Sequence, residues 1–248
     1  YIQKKAFRIA IMEKGVRADG RDIDTLRDLY AEAGTLPRVH GSSIFARGET
    51  QALATATLAP ADERQYFDNY AGGEDSKRFI LHYSFPPFSV GEAGRFGGLN
   101  RREIGHGALA ERSIEPVIPA EADFPYAMRV TSEVLESNGS SSMATVCSGV
   151  MALLDAGVPL IRPVGAIAVG LVTEMDENDN IKEYKTLLDI IGSEDFYGDM
   201  DFKICGTSEG ITGYQLDLKL AGVPLAILEE AVVKAAGGRE KVLQKMHD

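Results

Sequence analysis

The sequence predicts an α+β protein. Its β-prone stretches come mostly as hairpins, and helical stretches interrupt them in the order strands, helix, strands, helix. No GxGxxG or Walker motif is present, so dinucleotide or P-loop binding on a doubly wound parallel sheet is not expected. At 248 residues and 44% hydrophobic content, the chain can bury a sizeable core as one domain or two intimately packed subdomains.

Taken in order, KKAFRIAIMEKG reads as a short amphipathic helix with Phe7, Ala10 and Ile11 on one side, ended by Gly15, or as the trailing end of a linker. RADGRD, residues 17–22, is a polar turn centred on Asp19 and Gly20. Residues 42–59 form two β-prone arms about Gly48, a hairpin in which Ala52, Ala54 and Ala56 alternate with Leu53, Thr55 and Thr57. Small residues on one face let a helix layer approach closely. Residues 60–77, rich in charge and glycine, read as a mobile excursion. RFILHYSFPPF returns to a strand that stops at Pro86 and Pro87, because proline donates nothing to a ladder.

Glycines 91, 94, 97 and 98 make a turned or flexible loop carrying Arg95, and Asn100 precedes a helix starting at Arg101 with Ile104, Ala108 and Leu109 facing inward. A strand over 126–135 leads through SNGSSS into a helix over 141–155 with Met143, Val146, Val150 and Leu154 on one face. Pro163 opens the strand PVGAIAVGLV, TEMDENDNIKEYK makes a solvated hairpin, and Tyr214, Leu216, Leu218 and Leu220 alternate in a half-buried strand. Pro224 starts a helix with Ile227, Leu228, Ala231, Val232 and Ala235 buried. Gly237 and Gly238 end it, and REKVLQKM forms a last short helix.

Charge and cysteine usage exclude some classes. A net charge of −11 argues against duplex binding through a global basic field. The charges are segregated, however, with arginines gathered in 95–112 and acids in 174–201. Cys147 and Cys205 lie far apart with no CxxC or paired histidines, as buried thiols in a reducing interior. With no run of 18 apolar residues and no basic and apolar leader, a soluble, non-secreted product is expected.

Three stretches carry candidate chemistry. In DFYGDMDFK a strand reading puts Phe202 and Ile204 on the core face and Asp201 and Lys203 at the rim, while Asp195 folds back from a loop turned at Gly198. Two carboxylates at close range are costly unless they share a proton or a cation, and a hard divalent ion is the common answer. The competing reading is an acidic surface loop. Arg101 and Arg102 run against the dipole of the helix they open, which suits a pair of phosphodiester clamps, with His106 donating to a phosphate or stacking on a base. Pairing with Glu103 and nearby carboxylates is the structural alternative. Gly139 permits the turn that puts Ser140, Ser141 and Ser142 beside the free amides of a helix start, a natural anion site, although plain capping needs only one serine.

These stretches, with RADGR, HGSSIFARGETQALATATL, FPPFSVGEAGR, GLNRREIGHGALAER, SEVLESNGSSSMATVCSG, LLDAGVP and DFYGDMDFKICGTSEGIT, resemble the second ribonuclease PH-like core domain of the polynucleotide phosphorylase family. The likeness runs from about Glu13 to the end. It implies a ribonuclease PH-like fold: mixed β-sheets packed with helices in two related subdomains, residues 15–155 and 156–248, after a linker helix or tail over 1–14. The implied activity is phosphate-dependent 3′-to-5′ RNA degradation to nucleoside 5′-diphosphates, reversible, in mRNA turnover. By position, the resemblance makes Asp195, Asp201 and Lys203 catalytic, with Asp195 and Asp201 holding Mg²⁺ or alternatively Mn²⁺. Ser140, Ser141 and Ser142 would bind inorganic phosphate, the co-substrate. Arg101, Arg102 and His106, with Arg95 on the preceding loop, would bind RNA. Implied partners are a single-stranded RNA 3′ end, further ribonuclease PH-like domains in a homotrimer or ring, and components of an RNA degradosome, with no membrane. The implied compartment is the bacterial cytoplasm, or alternatively a mitochondrial or plastid matrix. Whether Lys203 moves a proton or supplies charge alone stays open at this stage. The readings from other classes are a non-catalytic ring subunit and a stand-alone RNA-binding module.

Overall fold

Close approach between one helix and one hairpin sets the layering. The computed structural model describes residues 2–68, 70, 72–95, 97–98, 100–178 and 180–248. Its elements are α1 (Ile2–Lys14), β1 (Leu29–Ala33), β2 (Gly41–Arg47), β3 (Gln51–Pro60), β4 (Gln65–Asp68), β5 (Glu74–Lys77), β6 (Phe79–Ser84) and α2 (Arg101–Ile114), followed by β7 (Tyr126–Glu136) and α3 (Ser141–Asp155). Then come β8 (Gly165–Met175), β9 (Ile181–Leu188), α4 (Gly192–Tyr197), β10 (Met200–Gly206), β11 (Ile211–Leu218) and α5 (Leu225–His247).

Two sheets enclose a layer of helices. The first has the order β1-β2-β3-β7-β6, antiparallel except for the parallel β6/β7 pair, and the second has the antiparallel order β11-β10-β8-β9. Between them lie α2, packed on β6 and β11, and α3, packed on β2, β3, β7, β8 and β10, while α5 packs on β1, β8, β9 and β10 from the opposite face of the second sheet, where Gly238 approaches Leu188 and Ile167. On the β8–β9 side of the second sheet lies α1, whose Ile11 joins Ala168, Val172, Leu187 and Ile190 in a separate small core. A guanidinium clamp pins that helix: Arg8 Nη1 and Nη2 lie 2.9 and 2.7 Å from the two carboxylate oxygens of Asp199.

The expected small-residue face is there. Ala52, Ala54 and Ala56 are fully buried, and Gly41 lies so close to α3 that an added Cβ would stand 2.2 Å from the Ala152 carbonyl and 2.4 Å from the Ala156 nitrogen. α3 is buried all round from Ser141 to Leu153, so the expected single apolar stripe is an under-reading, and Leu154, placed on that stripe, is 45% exposed. Polar groups of the helix find partners inside the core: the Ser148 backbone carbonyl accepts from Ser43 Oγ at 2.6 Å, and the Thr145 side-chain Oγ1 meets Ser132 Oγ at 2.9 Å. Each large aliphatic side chain enclosed in this layer contributes about 1.5–3 kcal/mol.

Several expectations need correction. The stretch read as a mobile excursion forms an antiparallel ribbon, β4 with β5, because Tyr66 and Phe67 face Ser76 and Asp75 in register; residues 69 and 71 lie outside the described ones. α2 starts at Arg101 as expected, yet Ile104 and Ala108 are exposed and the buried face is Gly107, Leu109, Ala110, Ser113 and Ile114. On the loop before it Gly91 turns at φ 74°, and residues 96 and 99 lie outside the described ones. α5 runs unbroken through Gly237 and Gly238: an added Cβ at 238 would meet Leu188 at 2.8 Å, so this glycine serves close packing on β9 rather than termination. β11 is an edge strand on which Tyr214 is exposed, against the expected alternation.

Gly41→Ala should destabilise the protein by about 2 kcal/mol, since the clash is with backbone atoms that cannot rotate away. Gly105→Ala, mid-helix with nothing within 4 Å, should stabilise it by about 0.5–1 kcal/mol. Urea unfolding of both variants beside the parent protein checks the pair.

Candidate active site

The N-terminus of α3 opens onto a cavity of about 400 Å³ lined by Ser140 and Ser141, Asp195, Asp201 and Lys203, and Arg102 and His106, with Asn138, Gln215 and Asp217 completing its polar wall. The geometry at the helix start is specific. Gly139 has φ 98°, and a Cβ there would fall 2.5 Å from the Ile190 carbonyl, so both conformation and space require glycine. Ser140 takes φ 53°, a left-handed conformation costing a non-glycine residue about 1–2 kcal/mol. Met143 N and Ala144 N turn back onto the Ser140 carbonyl at 3.1 and 3.4 Å. The amides of Ser141 and Ser142 are then those a helix start leaves without an intrahelical acceptor. No serine side chain caps this helix. The Oγ atoms of Ser140 and Ser142 are buried with no hydrogen-bond partner among the described residues, whereas Ser141 Oγ meets Tyr83 Oη at 2.8 Å.

Across the cavity, β10 alternates as expected but its charged face is not at the rim. Asp201 and Lys203 are each only 6% exposed, with Lys203 Nζ 2.7 Å from Asp201 Oδ2. The face is closed by α2 and the α3 terminus rather than by solvent. The other oxygen, Asp201 Oδ1, is buried and unpaired among the described residues. Burial raises the Asp201 pKa above the ordinary carboxylate value, Lys203 opposes this, and Asp195 and Asp217 add to the rise. Asp195 sits on the short helix α4, not in a loop. Gly198 has an ordinary φ of −78° and is small because an added Cβ would stand 2.4 Å from the Glu194 carbonyl. The Asp195 side chain is half exposed, 3.7 Å from Lys219 Nζ.

The arginine segment divides. Arg102 stacks its guanidinium 4.0 Å over the Phe85 ring and lines the cavity, while Arg101 and Arg95 are exposed and lie outside its lining, and Ser142 is buried and also outside it. The structural pairing with Glu103 does not occur: Glu103 completes a capping box with Asn100 and accepts from Phe85 N at 2.9 Å. His106 sits edge-on to Tyr83 with Nδ1 buried and without a hydrogen-bond partner among the described residues, and burial, with Lys203 and Arg102 adding, pushes its pKa down to about 4. It is therefore a neutral hydrogen-bonding group at physiological pH.

Asn138 and Gln215 of the cavity wall were not singled out in the sequence, nor were Asp217, Tyr83 and Asp189. Asp217 stands opposite Asp201 in the β10/β11 register, and its outward place in the alternation of GITGYQLDLKL was the available signal. Tyr83, 3% exposed and with its phenol pushed up to about 12 by burial, stays protonated beside Ser141. Asp189, a lone acid in the apolar run LLDIIG, is fully buried among arginines. Among the described residues no three His, Cys, Asp or Glu side chains gather closely enough to form a metal site by themselves. The unpaired oxygen of Asp201 with Asp195 on the same cavity wall fits a hard cation whose remaining ligands are water or substrate oxygens. No helix among the described residues is long and apolar enough to cross a membrane.

A buried helix start facing a carboxylate and lysine pair across one cavity, held between two sheets, defines a class. A profile of the RNase PH group, described as the 3′ exoribonuclease family, domain 1, matches residues 25–159, and the chain belongs to this family. Among curated relatives, the polyribonucleotide nucleotidyltransferase of Akkermansia muciniphila is 70% identical over 249 residues, covering 100% of this chain and 35% of that protein. That of Methylacidiphilum infernorum is 58% identical over 245 residues, covering 99% and 35%. The chain thus spans about a third of the length of these relatives. Among solved structures, rice (Oryza sativa) Rrp46 matches with a TM-score of 0.70 at 18% identity, covering 93% of this chain and 98% of that one, which establishes the ribonuclease PH-like fold.

His106 should titrate below pH 5 in a histidine NMR series, against about 6.5 for a free histidine. Because its folded pKa is depressed, the stability gained by keeping it neutral is present above about pH 6.5. It is lost as pH falls toward about 4. An imidazole titrating near 6.5 in the folded protein would contradict this.

Proposed function

We propose that this chain carries the catalytic site of a phosphorolytic 3′-to-5′ exoribonuclease, releasing nucleoside 5′-diphosphates from single-stranded RNA and running reversibly. The observation that carries the reading is the convergence of the α3 terminus with Asp195, Asp201 and Lys203 on one cavity. The names of the curated relatives support it. Inorganic phosphate, held by the serine-loop amides and hydroxyls, attacks the last internucleotide phosphorus in line. The new bond joins the two phosphorus centres through the attacking oxygen, the bond to the ribose 3′ oxygen breaks, and that oxygen takes up the proton given up by the attacking phosphate to become the 3′ hydroxyl of the shortened RNA. Asp195 and Asp201 would hold Mg²⁺ or Mn²⁺, which when bound would polarise a non-bridging oxygen and offset charge.

Lys203, already 2.7 Å from Asp201, adds positive charge where negative charge accumulates. Arg102, flattened on Phe85, and the neutral imidazole of His106 orient the RNA strand across the mouth. Arg101 and Arg95 lie outside the lining and act on phosphates further along the strand. This separation of roles favours an enzyme over a bare RNA-binding module, which has no use for a carboxylate and lysine pair behind a phosphate-binding terminus. Assembly into a trimer or ring with further ribonuclease PH-like domains, and a degradosome or cytoplasmic setting, are parts of the same proposal.

RNA digestion should require inorganic phosphate and yield nucleoside diphosphates. Monophosphates released at an unchanged rate without phosphate would refute the reading. Asp201→Asn should slow phosphorolysis by about 100-fold or more while RNA affinity stays at the parent value. Arg101→Ala with Arg102→Ala should show the opposite emphasis, weakening RNA binding and flattening its log–log salt slope by about 1.4, two phosphate contacts on a single strand. Filter binding across a salt series beside a phosphorolysis assay reads both. Sedimentation should give a closed oligomer, and a stable monomer degrading RNA at full rate would remove the ring from the proposal.

A further inference from the structure

Behind the serine loop lies a buried charge cluster with no place in the mechanism above. Asp189, fully buried and at φ 54°, holds Arg27 in a two-pronged grip, with Nη2 to Oδ1 at 2.8 Å and Nε to Oδ2 at 2.9 Å. Arg47 Nε stands 2.5 Å from Asp189 Oδ1. Neither guanidinium is used up by the carboxylate. Arg27 Nη1 donates to Asn138 O at 2.7 Å, and Arg47 Nη2 donates to Ser140 O at 3.2 Å and Gly139 O at 3.4 Å. Thr50 completes the grip: its Oγ1 accepts from Asn138 N at 3.0 Å and donates to Gly139 O at 3.1 Å.

Three successive carbonyls, at 138, 139 and 140, are thus held from behind. In a trans peptide the next N–H points opposite to its carbonyl, so this grip turns the following amides away from the arginines. The same loop is tied to the carboxylate side, because Asn138 Oδ1 accepts from Gly192 N at 3.0 Å, at the start of the helix that carries Asp195. Glu194, the neighbour of Asp195, is in turn clamped by Arg17 Nε at 2.8 Å. Arg17, Arg27 and Arg47 are buried around Asp189 and Glu194, and Arg21 reaches Asp189 Oδ2 at 3.4 Å from the edge of the cluster, so arginines outnumber the two buried acids beneath the loop.

We infer that Asp189, Arg27, Arg47 and Thr50 form a positioning unit that presets the serine loop for phosphate. None of the four lines the cavity, so they act through the loop rather than on a ligand. The inference rests on the reading of Ser140 and Ser141 as the phosphate site. A purely structural role predicts only lost stability when the unit is damaged. A positioning role predicts a selective change in phosphate handling.

Thr50→Val in the full-length protein keeps side-chain shape and unpairs Asn138 N and Gly139 O. The KM for inorganic phosphate should rise about tenfold, with the KM for RNA and the RNA affinity unchanged, and Thr50→Ser should restore it. Arg47→Lys keeps a charge for Asp189 but lacks the fork that spans carboxylate and carbonyls, and should shift the same constant. Lower Tm in both variants with an unchanged KM for phosphate would overturn the inference. Parent protein that cleaves RNA equally well without phosphate would instead remove the underlying phosphate reading, and this inference with it, before any variant is compared.

Discussion

The enclosure of α3 governs the rest of the molecule. A helix with no solvent face from Ser141 to Leu153 must satisfy most of its polar groups internally and meet its neighbours without voids. That requirement selects Gly41, Ala52, Ala54 and Ala56 on the facing hairpin, and it pairs Thr145 with Ser132 and Ser148 with Ser43. It also fixes where chemistry can occur. The sheets close off the flanks, so the first turn is where this helix meets a cavity, and its positive dipole end acts there with little solvent to screen it.

Environment then separates two aspartates only two positions apart. Asp199 and Asp201 are both nearly buried, and burial alone would raise both pKa values. At Asp199 the hydrogen bonds from Arg8 and Thr173 prevail and hold the carboxyl below its ordinary value. At Asp201 a single lysine does not prevail, one oxygen is left without a partner, and the carboxyl stays raised. The first aspartate is spent on docking α1. The second is left with one carboxylate oxygen unpaired among the described residues and its proton held more tightly than usual.

Local signals were legible and long-range ones were not. Asn100 as an N-cap, Gly139 before the serines, Gly15 after α1 and Gly48 between β2 and β3 each act over a few residues, and the boundaries they mark match the elements closely. Convergence of Asp195, Asp201, Lys203, Ser140, Ser141, Arg102 and His106 was anticipated through motif likeness. Spacing alone could not bring 102, 140 and 201 together. Alternation told which face of β10 carries charge but not what covers that face, hence the pair placed at the rim. Gly237 and Gly238 look like a stop in isolation, and only the presence of Leu188 against residue 238 explains a continuous α5. The arginines around Asp189 come from positions 17–47, far from it in sequence, so no local pattern pairs them.

The parallel pairing of β6 with β7 and the antiparallel pairing of β3 with β7 have a consequence for the order of assembly. Gln51 finds its partner at Glu136, and Phe79 at Met128, so the first sheet stays open until the ribosome has passed β7. The α3 layer follows, and Ile11 waits for Ala168 and Val172 before α1 has a surface to lie on. The carboxylate strand is added later still. In chain order the α3 terminus precedes the strand that carries Asp201 and Lys203, and the serine loop is tied down only by residues as late as Asp189 and Gly192. The cavity thus needs both sheets at once, since its lining comes from α2 and the α3 terminus as well as from β10 and β11 of the second sheet.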